Sequence, residues 1–147
     1  MSTLYVVATP IGNLSDLTTR ATRILSAVPT VAAEDTRVTR KLLKHIGASP
    51  HLESLHQHTS PQRLQKVVSR LETGDMGFVT DAGTPGISDP GAMLVKAALA
   101  AGHNVVPLPG ASALTSALSI TGWPFNRFLF LGFLPRKKQE RISTLKS

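Results

Sequence analysis

Five short apolar runs alternate with helical patterns along this chain, and that alternation constrains the fold more than any other feature. The runs fall at 4–8, 30–33, 51–58, 77–80 and 105–108, the third being the most polar. Between them, helical spacing or helix stop signals mark 18–27, 36–46, 61–73, 89–101 and 111–120. Asp16 or Ser15 is available to cap the first of these, Gly47 stops the second, Pro61 opens the third and Gly74 follows it. Strands separated by helices cannot form tight hairpins, so the pattern predicts an α/β fold: a parallel five-stranded sheet with helices on both faces. In such a sheet the ligand crevice lies beyond the carboxyl ends of the strands, where strand order reverses.

The unusual residues gather at those ends. Thr9-Pro10-Ile11-Gly12-Asn13 follows the first run, 81–91 the fourth, and Pro109-Gly110-Ala111-Ser112 the fifth. Glycine and proline there let backbone amides and carbonyls approach a ligand without intervening side chains. A single such loop is an ordinary βα turn; three together read as a small-molecule cradle. None contains a phosphate-loop signature or G-x-G-x-x-G, which argues against a nucleoside triphosphatase and a dinucleotide enzyme. No Lys or Arg lies between Asp75 and Gly91 or between His103 and Trp123. The loops therefore suit a ligand of little net charge.

Composition narrows the function. The 147 residues carry a net charge of +7 and no cysteine, which excludes a disulfide scaffold, a thiolate metal centre and a cysteine nucleophile. No apolar run approaches a membrane span and no basic leader precedes the first strand, so the expectation is a soluble, cytoplasmic protein without membrane contact. The charge is clustered: residues 36–70 hold seven Lys and Arg against one acidic residue, and 136–147 five against one. Clusters of this kind suit a phosphate backbone, with plain solvated helix faces as the alternative. Arg37, Arg40, Lys41 and Lys44 recur at helical spacing, and most of them can share one face. The five histidines lack a convincing metal-ligand set, although His56 and His58 would share a face of a long third strand.

After Gly122 the character changes. Phe128-Leu129-Phe130-Leu131-Gly132-Phe133-Leu134-Pro135 reads as an apolar strand and 136–146 as a basic helix start. The chain thus divides into an α/β domain over 1–122 and, over 123–147, the linker, first strand and helix start of a second, truncated domain.

Five segments in order carry a resemblance: Ala8-Thr9-Pro10-Ile11-Gly12-Asn13-Leu14, Ala33-Glu34-Asp35-Thr36-Arg37, the run 80–91 (TDAGTPGISDPG), Pro107-Leu108-Pro109-Gly110-Ala111-Ser112-Ala113 and Gly132-Phe133-Leu134-Pro135. Together they resemble the ribosomal RNA small subunit methyltransferase I family of the tetrapyrrole methylase superfamily. The likeness implies a two-domain homodimer that takes S-adenosylmethionine and 2′-O-methylates a cytidine in the decoding region of 16S ribosomal RNA. It also implies cofactor contacts at Pro10, Gly83, Thr84, Ile87, Ser112 and Ala113, with no metal.

Transfer to a ribose hydroxyl needs donor and nucleophile aligned at about 3–3.5 Å, and a base helps. Glu34 and Asp81 are the leading candidates, with His56 and His58 behind them; Asp35 serves equally well as a cap for the helix at Thr36. Arg37, Arg40 and Lys41 are the expected RNA contacts, on the small subunit or its free 16S RNA. A tetrapyrrole methylase proper is one rival, but its Gly-rich first loop is not the Thr-Pro-Ile-Gly-Asn found here. A non-catalytic nucleic-acid-binding module is another; it explains the charge and not the three loops.

Overall fold

The computed structural model describes residues 1–88 and 91–146. Five strands, β1 (Thr3–Val7), β2 (Thr30–Ala33), β3 (His51–Ser54), β4 (Met76–Val79) and β5 (Asn104–Leu108), form one sheet in the order β3-β2-β4-β1-β5. All four pairings are parallel. Six helices accompany them: α1 (Thr19–Ala27), α2 (Thr36–His45), α3 (Pro61–Val68), α4 (Gly91–Ala100), α5 (Ala113–Ser119) and α6 (Lys138–Lys146). The expected α/β class and strand count hold.

Alternation along each strand splits the core into two layers, one per face. Val7, Val31, Ala33 and Val79 pack against Ala21 and Leu25 of α1 and Leu42 and Leu43 of α2. Leu4, Ala32, Met76 and Phe78 point the other way, against Val67 of α3 and Leu94 and Ala98 of α4. With both faces covered, β2 and β4 are buried throughout, which is why they read as unbroken apolar runs. Gly77 is required by this packing: a Cβ there would lie 3.2 Å from both Leu25 Cδ2 and Val31 Cγ2. Pro107 is tolerated because β5 is an edge strand.

Several local expectations need correction. Neither Asp16 nor Ser15 caps α1; Thr18 does, its hydroxyl accepting from the Ala21 amide at 3.1 Å, while 14–16 form a 3-10 turn. The third helix stops at Val68 and tightens into a 3-10 turn over Ser69–Glu72. The third strand ends at Ser54, so His56 and His58 lie in a loop rather than on one strand face. The proposed helix start at Asp89-Pro90 lies outside the described residues. Residues 128–135 form no strand and pair with none of the five strands among the described residues. Phe128, Leu129 and Phe133 are exposed there, and α6 buries no residue.

One polar cluster is built into the edge of the sheet, and nothing in the sequence pattern announces it. Glu53 on β3 is 3% exposed, yet its carboxylate meets Arg63 of α3, Arg70 Nη2 at 2.9 Å and His51 Nε2 at 3.1 Å. Burial pushes the Glu53 carboxyl up; the bonds from His51 and Arg70 and the charges of Arg63 and Arg70 outweigh it, and the group is held below its ordinary 4.5. This clamp ties α3 and the following 3-10 turn to the edge strand. Glu53→Gln should lower stability by about 1–3 kcal/mol at pH 7, short of a fully buried pair because both arginines reach solvent. A carboxyl with a depressed folded-state value stabilises fully above 4.5 and loses that contribution as pH falls below it. Urea unfolding at pH 7 and pH 3 should therefore show the gap between wild type and variant closing at the lower pH.

Candidate functional site

β4 stands between β2 and β1, whose outgoing connections run toward the β3 edge while its own runs toward β5. The helices after β1 and β2 lie on one face and α4 on the other, so the chain parts at the top of β4. This opens a crevice at the carboxyl ends of the central strands.

Backbone bonds stitch the three Gly/Pro-rich loops together across it. Thr9 N donates to Gly83 O at 2.9 Å and Gly83 N to Thr9 O at 3.0 Å, an antiparallel bridge joining the loops after β1 and β4. Gly83 adopts φ +83°, a conformation open to glycine and costly for other residues. The Thr84 hydroxyl donates to Ala111 O at 3.2 Å, tying the β4 loop to the β5 loop. Gly110 permits the third approach, since a Cβ there would stand 2.9 Å from Ala8 Cβ.

The bridge is a wall between two hollows. On one side is a cleft of about 430 Å³ holding Gly83, Thr84, Ile87, Ser112 and Ala113, five of the six residues expected to hold a cofactor. Ile11 closes one side, and Phe130 and Phe133 of the C-terminal segment another. Among the described residues, none of its lining side chains is charged. On the other side is a groove of about 250 Å³ that takes the sixth, Pro10, together with Lys41, Thr80 and Asp81. Pro10 and Ile11, like Asp81 and Ala82, are chain neighbours facing opposite sides of the wall. Thr80 was not anticipated: it is buried, its hydroxyl has no hydrogen-bond partner among the described residues, and it borders the groove. Only the folded arrangement distinguishes it from any other threonine ending a strand.

The candidate bases are linked to each other. The Asp81 carboxylate accepts from the Asp35 amide at 3.1 Å, and the Glu34 carboxylate accepts from the Asp81 amide at 3.4 Å. Each acid thus holds the other's loop, latching the end of β2 to the end of β4. Asp81 lines the groove; Glu34 is half-buried beside it and lines neither hollow. Asp35 takes the capping role, accepting from Arg37 N at 2.8 Å and pairing with the Arg37 guanidinium at 2.7 Å. His56 and His58 line neither hollow.

The three expected RNA contacts on α2 diverge. Lys41 turns into the groove, Arg37 is held on Asp35, and Arg40 lines a separate groove on the β3 flank. Among the described residues no helix is long and apolar enough to cross a membrane, and no three His, Asp or Glu side chains converge as a metal site.

A doubly wound parallel sheet with a loop-built cleft at its switch point defines an α/β protein with a small-molecule crevice. The sequence profile of the Tetrapyrrole (Corrin/Porphyrin) Methylases matches residues 3–147, and the chain belongs to that family. It is 54% identical over 144 residues to a Xylella fastidiosa protein named "Ribosomal RNA small subunit methyltransferase I", covering 97% of this chain and 53% of that protein. Proteins of the same name from Pseudomonas aeruginosa and Synechocystis sp. are 50% and 48% identical, covering 99% and 100% of this chain and 52% and 53% of theirs. The likeness read from the five motifs is borne out. The chain spans about half the length of these relatives.

The Asp35–Arg37 pair makes a direct test of the latch region. Hydrogen bonds from the Arg37 side chain and amide, aided by its charge, lower the Asp35 carboxyl from 3.8 to about 2. In a carboxyl-detected NMR titration Asp35 should titrate near 2, and Arg37→Gln should raise it part of the way toward 3.8, because the backbone amide bond of residue 37 remains. The cap and pair are then intact above that value and lost as pH falls through it.

Proposed function

We propose that the full-length protein methylates small-subunit ribosomal RNA, using S-adenosylmethionine to modify the ribose 2′-hydroxyl of a cytidine in the decoding region of 16S RNA. The observation that carries the cofactor part is the cleft on the far side of the Thr9–Gly83 bridge, whose lining holds no Lys or Arg among the described residues. A sulfonium is repelled by cations. The residues fit in a second respect: the left-handed Gly83 leaves backbone exposed where a side chain would intrude toward Ile11, whose Cγ2 lies 3.6 Å from a Cβ built there. Gly83, Thr84, Ile87, Ser112 and Ala113 would hold the cofactor, which supplies an electrophilic methyl group when bound.

The RNA part is supported by the name the relatives bear and by the cations of α2. The name favours a polynucleotide acceptor over a tetrapyrrole, while the cations suit either polyanion. The groove beside the cleft is the acceptor side of this reading. Its apolar walls, Pro10, Leu14 and Val38, face a base or ribose, and Lys41 meets a phosphate. Asp81, which lines the groove, or Glu34 beside it would orient the hydroxyl and accept its proton as the donor's C–S bond gives way to the C–O bond and a neutral thioether leaves.

We infer in the same way that 123–147 lead into a second domain and that the protein works as a cytoplasmic homodimer. Trp123, Ile120 and Phe133 stand about 80–90% exposed, and the relatives run to roughly twice this length.

Calorimetry tests the cofactor. Gly83→Leu places a branched side chain in the cleft and should abolish S-adenosylmethionine binding while the circular dichroism spectrum stays native. Unchanged binding would remove the β4 loop from the cofactor site. The nucleophile calls for single-turnover methylation. If an acid serves as base, Glu34→Gln or Asp81→Asn should slow the step by about 10²–10⁴-fold. A slowing below about tenfold in both would leave positioning to carry the reaction. Because each acid also holds the other's loop, cofactor and RNA affinities are measured on the same variants.

A further inference from the structure

A groove larger than either hollow at the strand ends runs along the flank of the sheet. It lies between the second half of α2 and the start of β3, with a volume of about 710 Å³. Arg40 and Lys44 stand along one side, four residues apart and so on the same helix face, and His51 stands across from them. Leu43, Pro50 and Leu52 form an apolar floor. Among the described residues no carboxylate lines it.

The cations here differ from the other arginines of residues 36–70. Arg37 is paired with Asp35, and Arg63 and Arg70 with Glu53. Arg40 and Lys44 have no ion-pair partner among the described residues and are exposed. His51 is anchored differently: its Nε2 lies 3.1 Å from the buried Glu53 carboxylate, which fixes the ring at the groove's edge while over half its surface stays open. Unmatched positive charge above an apolar floor fits an anionic chain that also carries flat apolar groups, which is the chemistry of unstacked RNA. A free phosphate would leave the floor uncovered.

We propose that this groove is a second binding surface for the substrate RNA, in which Arg40 and Lys44 hold the phosphodiester backbone of a single-stranded segment whose bases lie on the apolar floor. The inference rests on the RNA reading above and extends it. Arg37, Arg40 and Lys44 follow one stripe of α2 with spacings of three and four, spanning about 10 Å of helix axis. The stripe leads from the latch at the crevice mouth to the flank, so a strand whose target nucleotide sits at the crevice continues along α2 into the groove. Phosphate binding of this kind sets affinity and orientation of the substrate and not the choice of nucleotide.

The test uses the full-length protein and a 16S ribosomal RNA fragment containing the decoding region, with Kd measured across a salt series. Arg40→Gln with Lys44→Gln should weaken binding roughly tenfold and reduce the salt slope by about 1.4, since each single-strand phosphate neutralised by a cation accounts for about 0.7. Arg20→Gln with Lys96→Gln removes the same charge from exposed positions on α1 and α4 and should change Kd less than about twofold. Equal weakening in the two double variants would reduce the effect to net charge and overturn the proposal. So would an unchanged Kd for Arg40→Gln/Lys44→Gln, which would give the groove to another partner such as an acidic protein segment. Wild-type methyl incorporation into the same RNA separates the two levels. If wild type binds and methylates while that variant binds equally well, only the groove assignment falls; if wild type neither binds nor methylates, the RNA reading falls and takes this one with it.

Discussion

Two backbone hydrogen bonds between Thr9 and Gly83 hold together the ends of β1 and β4, and the arrangement of the site depends on them. In a parallel sheet the ladder stops where strands end, and the loops beyond have no automatic partners. Here the ladder reverses to an antiparallel bridge for one residue pair, which turns two loops into a wall. On one side lies a cleft whose described lining carries no charge, on the other a groove lined by an acid and a lysine.

The sheet beneath supplies the rigidity that this wall needs. β4 is central, buried on both faces, and its Gly77 lets α1 press against the sheet where any side chain would crowd Leu25 and Val31. At the β3 edge, where only one neighbouring strand exists, the Glu53 cluster performs the anchoring that apolar packing does elsewhere. The carboxylates at the top of the sheet do a third kind of positioning. Glu34 and Asp81 each accept a backbone amide from the neighbouring loop, so the candidate bases are also the fasteners of the crevice mouth.

Helix α2 shows how tertiary context divides a simple charge pattern. Its basic residues look equivalent as a spaced set. In the fold one is bound to its own cap, one faces the groove beside β1, and two face the flank of β3. The polyanion reading is then distributed over two surfaces instead of one.

The alternation of apolar runs with helical patterns determined the α/β class and the five-stranded parallel sheet, because buried strands need continuous apolar surface and crossovers need helices. The glycines and prolines of three loops marked the crevice, and five of six expected cofactor positions share one cleft because strand ends in a parallel sheet all face the same way. The strand order, the reversal at β4 and the bridge that sends Pro10 to the opposite side from Gly83 were decided only by tertiary structure. So were the buried charge of Glu53, the buried hydroxyl of Thr80 and the irregular path of 128–135. Each of these depends on which distant segment supplies a hydrogen-bonding partner, a property of pairs of residues far apart in the chain that no local pattern encodes.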